Sequence, residues 1–481
     1  MVFQASLTRG KGGDMKLLYR CCAGLDIHRD TVSACVRRRV GGQAEAAIEE
    51  QVFGTFTQDL ERLRTWLKKS KVRQVAMEST GVYWIPIWNV LERGFTLTLV
   101  NPATVRALQG QKTDRIDARR IAEYLQHGLL RGSFIPPKPI RELRELTRMR
   151  VHIQQDRNRV INRIARLLET VNIKLACVAS HIVGASGMAM LRLLARGVCD
   201  AERLADCAQG HMRVKIPALV LALEGRPDAH FRWMLAQLLA KLDRLDEERA
   251  CVDVRIDELA VPYADALRRL STIPGVDRTT ALVLLAEFGE DMTQFRTAAH
   301  LASWAGLCPG NAEVAGKRFS GRTRKGDRYV RRILVQSAWA ASRCHDCFLA
   351  ALFFRTAQRR GLKKAAVAVA HRIAILAWHI LAEAGAEYRE RGGDFFDRRN
   401  PERTARKLSR RLQAIGYQVT LVAPPKPFGT PPHRSTRQRS EPAVDASLCP
   451  RCARWGMPRC ICLVKRKRSC PSVTDSTRSI T

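Results

Sequence analysis

Four carboxylates stand out by their surroundings. Asp26 lies in the apolar run Ala23-Gly24-Leu25-Asp26-Ile27, and Glu78 follows Gln74-Val75-Ala76-Met77. Asp114 and Asp117 lie three residues apart in Lys112-Thr113-Asp114-Arg115-Ile116-Asp117-Ala118. Two-metal phosphoryl transfer needs several carboxylates converging on a pair of Mg²⁺ ions, which stabilise both the attacking and the leaving oxygen of a phosphodiester. Strand ends would carry Asp26 and Glu78, and the three-residue spacing would set Asp114 and Asp117 on one face of a helix. Taken singly, each acid reads better as a solvated surface group or a helix cap than as a metal ligand. Asp114 reads equally well as the N-cap of a helix beginning near Arg115. It is the set that points to a metal-dependent active site.

The charge balance names the partner of such a site. The 481-residue chain carries 82 Lys and Arg against 46 Asp and Glu, a formal charge of +36. Charge of that size is hard to keep compact without a polyanion beside it, and nucleic acid is the natural candidate. A basic membrane-surface protein is the competing class. No signal peptide and no apolar stretch long enough to span a bilayer is recognised, so no membrane partner is expected, and a cytoplasmic, nucleoid-associated location is. The 15 cysteines are odd in number and scattered, as in proteins kept reduced. A hydrophobic content of 46% can supply cores for two or three domains.

Residues 1–14 read as a disordered extension ahead of Met15. From 15 to 136, β-rich runs (Leu25 to Val36, Val75 to Met77, Phe95 to Val100) alternate with helical patterns (Asp59 to Lys69, Ile116 to Leu129), an α/β domain. Residues 137–262 read as long charged helices. Leu146, Ile153, Val160 and Leu167 recur every seven residues. Leu235, Leu238, Leu242, Leu245, Val252, Ile256 and Leu259 follow alternating three- and four-residue steps, broken at Arg249. A coiled coil joining copies into a dimer or tetramer and a helical hairpin within one chain are both open. Glycines and Pro227 break 176–230 into shorter pieces. Residues 263–423 read as mostly helical, and the Pro-, Ser- and Arg-rich stretch 424–481 as a disordered basic tail. The fold class is thus α/β followed by all-α.

Four stretches carry a specific resemblance: Gly24-Leu25-Asp26-Ile27-His28-Arg29-Asp30-Thr31, Met77-Glu78-Ser79-Thr80-Gly81-Val82-Tyr83-Trp84, Asn101-Pro102, and Lys112 through Ala118. In order and spacing they closely resemble the DEDD transposases of the insertion-sequence one-ten family, relatives of the Piv DNA invertase. The likeness continues through Ile140-Arg141-Glu142-Leu143-Arg144-Glu145-Leu146-Thr147-Arg148 and extends to about Val422. It implies an RNase H/RuvC-like first domain whose Asp26, Glu78, Asp114 and Asp117 bind catalytic Mg²⁺. It also implies DNA element ends and target as substrates, and a structured bridge RNA that pairs with both. No residue pattern by itself demonstrates RNA binding. The low aromatic content (6%) does favour backbone contacts over base stacking.

In the second half, Ile273-Pro274-Gly275-Val276 with Thr279 to Ala281 reads as helix, tight turn, helix, similar to a helix-hairpin-helix that holds phosphates through its amides. Asp277 stands where a second turn glycine is common and would repel phosphate, so a packing role is as open as a DNA contact. Leu301 through Lys317 resembles the family's transposase-domain signature. Lys112, Lys317, Arg318, Arg322, Arg324, Lys325 and Arg328 are the candidate nucleic-acid contacts.

The resemblance implies a serine nucleophile after Glu313, where this chain has Val314. Valine has no nucleophilic oxygen. Ser320 is the nearest hydroxyl, either a substitute nucleophile or, on the favoured reading, a loop serine. Strand exchange is therefore expected to be impaired or lost. In the tail, Cys449, Cys452, Cys460 and Cys462 read as a cramped four-thiolate Zn²⁺ site or, preferably, as free thiols. A DNA transposase or site-specific recombinase leads. A RuvC-like structure-selective nuclease that needs no serine and a non-catalytic nucleic-acid-binding remnant are the alternatives.

Overall fold

A computed structural model describes residues 17–39, 46–79, 81–102, 117–310, 312–314 and 317–422. The candidates Lys112 and Asp114, the four tail cysteines and residues 1–14 lie outside the described residues. The chain divides into two compact units, one within 1–135 and the other within 136–481. The second takes in both the helical middle and the later helical region.

The first unit is built on one mixed sheet. Among the described residues its strands are β1 (Cys21–Ile27), β2 (Thr31–Arg38), β3 (Ala47–Gly54), β4 (Gln74–Glu78) and β5 (Thr96–Val100), ordered β3-β2-β1-β4-β5. β1, β2 and β3 form an antiparallel meander, while β4 and β5 continue the sheet parallel to β1. The run Leu25 to Val36, read from sequence as one β-rich stretch, is two strands joined at His28 to Asp30.

Side chains alternate across the pleat and separate two layers. Ala23, Leu25, Ile27, Val75, Met77 and Leu99 pack against α1 (Thr57–Lys69) and α2 (Trp84–Leu91). α1 presents Leu60, Leu63 and Leu67, one stripe at helical spacing. On the opposite face Cys22, Cys35, Ala76 and Val100 meet Ala118, Ile121, Ala122 and Leu125 of α3 (Asp117–Gln126). Burial pushes the Cys22 and Cys35 thiols up to about 12, which suits small core residues and neither nucleophiles nor metal ligands.

The second unit opens with two long helices, α4 (Lys138–Thr170) and α5 (Ala229–Ala260). They run antiparallel, since Arg150 pairs with Asp253, Gln154 with Arg249 and Arg157 with Asp246. The sequence periodicity therefore serves a hairpin-like pair within one chain. The break at Arg249 is a polar layer in which Arg157 reaches Asp246 at 2.7 Å and Arg249 reaches Gln154 at 3.3 Å. Short helices at Leu175–Val178, Ala185–Ala195, Ala201–Ala205 and Ile216–Leu223 close over the far end, burying Met190, Leu191, Leu219 and Leu223 against Ile164 and Leu235.

Among the described residues the helices that follow include α6 (Ala264–Leu270), α7 (Arg278–Phe288), α8 (Ala298–Trp304), α9 (Arg328–Ala341), α10 (Phe348–Arg360), α11 (Leu362–Ala382) and α12 (Pro401–Ala414), with a single turn at Phe395–Arg398 before the last. A small hairpin, β6 (Ala312–Val314) and β7 (Lys317–Ser320), lies between α8 and α9. Asp277 and Asp327 cap α7 and α9, Asp277 accepting the Thr280 N–H and Asp327 those of Tyr329 and Val330. α11 is the core of this part, with Ala365, Val369, Ala370, Ile373 and Ala377 buried. That helix corrects the expectation that no apolar run could cross a bilayer. By length and hydropathy α11 could, but 61% of its most apolar window is buried inside the protein, as befits a core helix.

Candidate active site

Two of the expected carboxylates come from neighbouring parallel strands. Leu25 of β1 pairs with Met77 of β4, so the next residues, Asp26 and Glu78, sit side by side at the carboxyl ends of both strands. By alternation they share the sheet face that α3 covers. Asp26 is 6% exposed, and the Nε2 of His28 lies 3.1 Å from its Oδ2. Glu78 is half-buried.

α3 crosses this face antiparallel to β1. The backbone N–H groups of Leu18 and Tyr19 donate to the Gln126 carbonyl, the Cys22 thiol donates to the Ala122 carbonyl, and Gly24 lies against Ala118 and Ala122. As β1 advances toward Asp26, α3 therefore runs back toward its first residue, Asp117. Gly24 makes the approach feasible: a Cβ there would stand 2.2 Å from the Ala118 carbonyl oxygen and 2.4 Å from the Ala122 nitrogen. Arg37 of β2 ties the far end of α3, donating to Gln126 at 3.1 Å and pairing with Glu123 at 3.6 Å. Among the described residues no three His, Cys, Asp or Glu side chains form a metal-holding group.

In the second unit, the β6–β7 hairpin sets Val314 opposite Lys317 at its closed end and Ser320 opposite Ala312 at its open end. Two strand steps, roughly 7 Å, separate the two positions. At the hairpin's base the Gly310 N–H donates to the Arg322 carbonyl, and Gly306 abuts Gly326 so closely that a Cβ on Gly326 would lie 2.3 Å from the Gly306 nitrogen. Arg322, Arg324, Lys325 and Arg328 are exposed around this junction.

The turn at Ile273 to Asp277 is helix, tight turn, helix, as read from sequence. Gly275 has φ +82°, and a Cβ on it would meet the Ser337 carbonyl oxygen at 2.4 Å, so the turn is wedged against α9. Asp277 is spent on the N-cap, accepting from the Thr280 N–H at 2.8 Å. Packing accounts for both residues.

Comparison with known proteins bears on the family. A DEDD transposase model of the IS110 group matches residues 23–173, and the transposase model of the IS116/IS110/IS902 family matches residues 267–352. The chain is 26% identical over 354 residues to a probable family 20 transposase of Pseudomonas aeruginosa, covering 69% of this chain and 93% of that protein. It is 25% identical over 387 residues to the transposase for insertion sequence element IS1111A of Coxiella burnetii, covering 76% and 90%. An insertion element IS110 protein of Streptomyces coelicolor is 37% identical over 111 residues, covering 22% and 26%. The chain belongs to the IS110 family of transposases.

In this IS110-family transposase the structure also shows a polar cluster that sequence reasoning missed. Glu287 of α7 is fully buried. Arg148 of α4 donates to both its oxygens, at 2.7 and 2.8 Å, and to Asp327 at 3.2 Å. Arg144 stands 3.3 Å away and donates to the carbonyls of Ala286 and Glu287. Burial raises the Glu287 carboxyl above the usual carboxylate range, and the Arg148 hydrogen bonds oppose that. Through Asp327 the cluster fixes the start of α9 beside the basic junction. A signal was present: Glu287 is a lone acid in the apolar run from Ala281 to Phe288, and a buried acid needs a partner.

Proposed function

We propose that this transposase acts on DNA through a divalent-metal site built from Asp26, Glu78, Asp114 and Asp117 on a RuvC-like, RNase H-type core. The observation that carries this reading is the register of β1 against β4, which brings Asp26 and Glu78 together on the face that α3 crosses toward Asp117. The donor set fits Mg²⁺, which takes carboxylate oxygens and keeps several waters. Bound there, the metal would stabilise charge on the oxygens of a phosphodiester. His28 holds the Asp26 carboxylate in one orientation through their 3.1 Å contact. Exposed Arg322, Arg324, Lys325 and Arg328, with Lys112, Lys317 and Arg318, serve as sequence-independent phosphate contacts.

The DNA substrates, a bridge RNA that chooses them and a bacterial cytoplasmic setting are carried over from the family resemblance. Self-association is carried over on the same ground. Val314 lacks the hydroxyl that the family serine supplies, so serine-based strand exchange is impaired. The same residue favours one second reading, a structure-selective nuclease in which water replaces the serine.

Metal-dependent cleavage of branched DNA by the full chain, with and without Asp26→Ala, tests the site. Loss of all cutting in Asp26→Ala supports it, and undiminished cutting refutes it. Recombination by the native chain equal to that of Val314→Ser would refute the impairment.

A further inference from the structure

The first turn of α9 carries a hydroxyl set up as nucleophiles are. Tyr329 Oη lies 2.8 Å from the Nε2 of His152 on α4 and 2.8 Å from Nη2 of Arg328. The Arg148 guanidinium lies 4.6 Å from the Tyr329 ring centroid and that of Arg328 4.8 Å. The His152 and Tyr329 rings are stacked with centroids 6.1 Å apart. In the tautomer with Nε2 unprotonated, the phenol donates to His152 and accepts from Arg328, so a base and a cation flank one oxygen.

The surroundings suit a strand of nucleic acid. Tyr329 lines a cleft of about 730 Å³ between α4, α9 and the turn at Ile273 to Asp277, walled also by Arg150, Gln154, Arg332 and Gln336, with Asp277 at its edge turned to capping α7. Asp327 accepts the Tyr329 and Val330 N–H groups and is itself held by Arg148, so the buried Glu287 cluster fixes the tyrosine in place. The exposed Arg322, Arg324 and Lys325 lead into the same turn.

We propose that Tyr329 is a nucleophile of this chain toward a DNA phosphodiester, with His152 as its base. The inference rests on the transposase reading given above. Tyr329 Oη attacks phosphorus, an Oη–P bond forms, and the bond from phosphorus to the leaving deoxyribose oxygen breaks. The phenol proton passes to His152 Nε2 and from there to the leaving oxygen. Arg328 offsets the charge gathering on the phosphate. The exchange conserves one phosphodiester and draws on no outside reactant, so it reverses when a deoxyribose hydroxyl of another strand attacks. It supplies the covalent step that Val314 cannot.

The test incubates the full-length protein with Mg²⁺, a supercoiled plasmid bearing the DNA that flanks its own gene, and a transcript of the same flanks. Denatured protein–DNA adducts are then counted and the joined peptide is mapped by mass spectrometry. Native protein, Tyr329→Phe, His152→Gln and Val314→Ser are compared, each checked for an unchanged unfolding midpoint. Phenylalanine keeps the ring under Arg148. The expected result is an adduct on Tyr329 that Tyr329→Phe abolishes and that forms about 100-fold more slowly in His152→Gln. An adduct that persists in Tyr329→Phe, or maps to Ser320, overturns the proposal. So does a native protein that forms none while Val314→Ser does, an outcome that leaves the transposase reading standing. Failure of both to form one removes that reading and the inference with it.

Discussion

Gly24→Ala separates the stability of the first unit from the geometry of its site. On backbone grounds alone the change is favourable by about 0.4–1 kcal/mol, because alanine narrows the unfolded ensemble. Packing reverses that sign. The new methyl would stand 2.2 Å from the Ala118 carbonyl oxygen and 2.4 Å from the Ala122 nitrogen, both backbone atoms of α3. The helix must retreat by roughly 1 Å, and overpacking of this kind costs about 1–3 kcal/mol. A domain worth about 5–15 kcal/mol survives such a loss. The site does not, because productive placement tolerates only about 0.5 Å and a 1 Å displacement costs about 100-fold in rate. Urea unfolding of the full chain, read beside metal-dependent cleavage of branched DNA, is the assay. The expected outcome is a folded protein, modestly destabilised, with cleavage down about 100-fold. Native stability together with native cleavage would refute the claim that α3 positions the site.

Three further outcomes follow from the second unit. Arg148→Met leaves the fully buried Glu287 with only Arg144, 3.3 Å away, and should cost about 3 kcal/mol, the lower end for breaking a buried pair. Arg148→Met/Glu287→Leu should recover most of it, and a double variant no more stable than the single one defeats that account. Asp277→Ala removes the α7 cap and should cost about 1 kcal/mol by thermal unfolding. Its DNA affinity should stay unchanged, since the turn packs on α9; a clear gain in affinity would show that Asp277 had been repelling phosphate. His371 of α11 has its pKa lowered below 6.5, first by burial and then by Arg372. The unfolded chain therefore binds the proton more readily, and stability falls as pH drops through about 6.5. Unfolding midpoints between about pH 7.5 and 5.5 should fall less steeply in His371→Gln, and parallel profiles would exclude that group.

Residue types and spacing alone carried a good deal. The motifs around Asp26, Glu78 and Asp117 and the signature from Leu301 to Lys317 were enough to place the chain in its family. Alternating runs such as Gln74 to Met77 announced the α/β unit, and heptad-like leucines announced the long helices. These features are local, so a one-dimensional reading captures them. That position 314 is a valine is likewise a fact of the sequence.

What depended on contacts across the chain was legible only in the tertiary structure. A periodic stripe cannot say whether its partner is another copy or a helix about ninety residues later; the antiparallel pairs Arg150–Asp253 and Arg157–Asp246 decide that. Nothing around Gly24 announces that a helix some hundred residues later rests on it, because the reason is a backbone contact with Ala118 and Ala122. The meeting of Arg148, Glu287, Asp327, Tyr329 and His152 draws on three helices and the loop before one of them, so only packing assembles it. Sequence fixes which groups are available for chemistry; register and helix docking decide which stand within bonding distance, because those depend on burying apolar faces against each other rather than on neighbours in the chain.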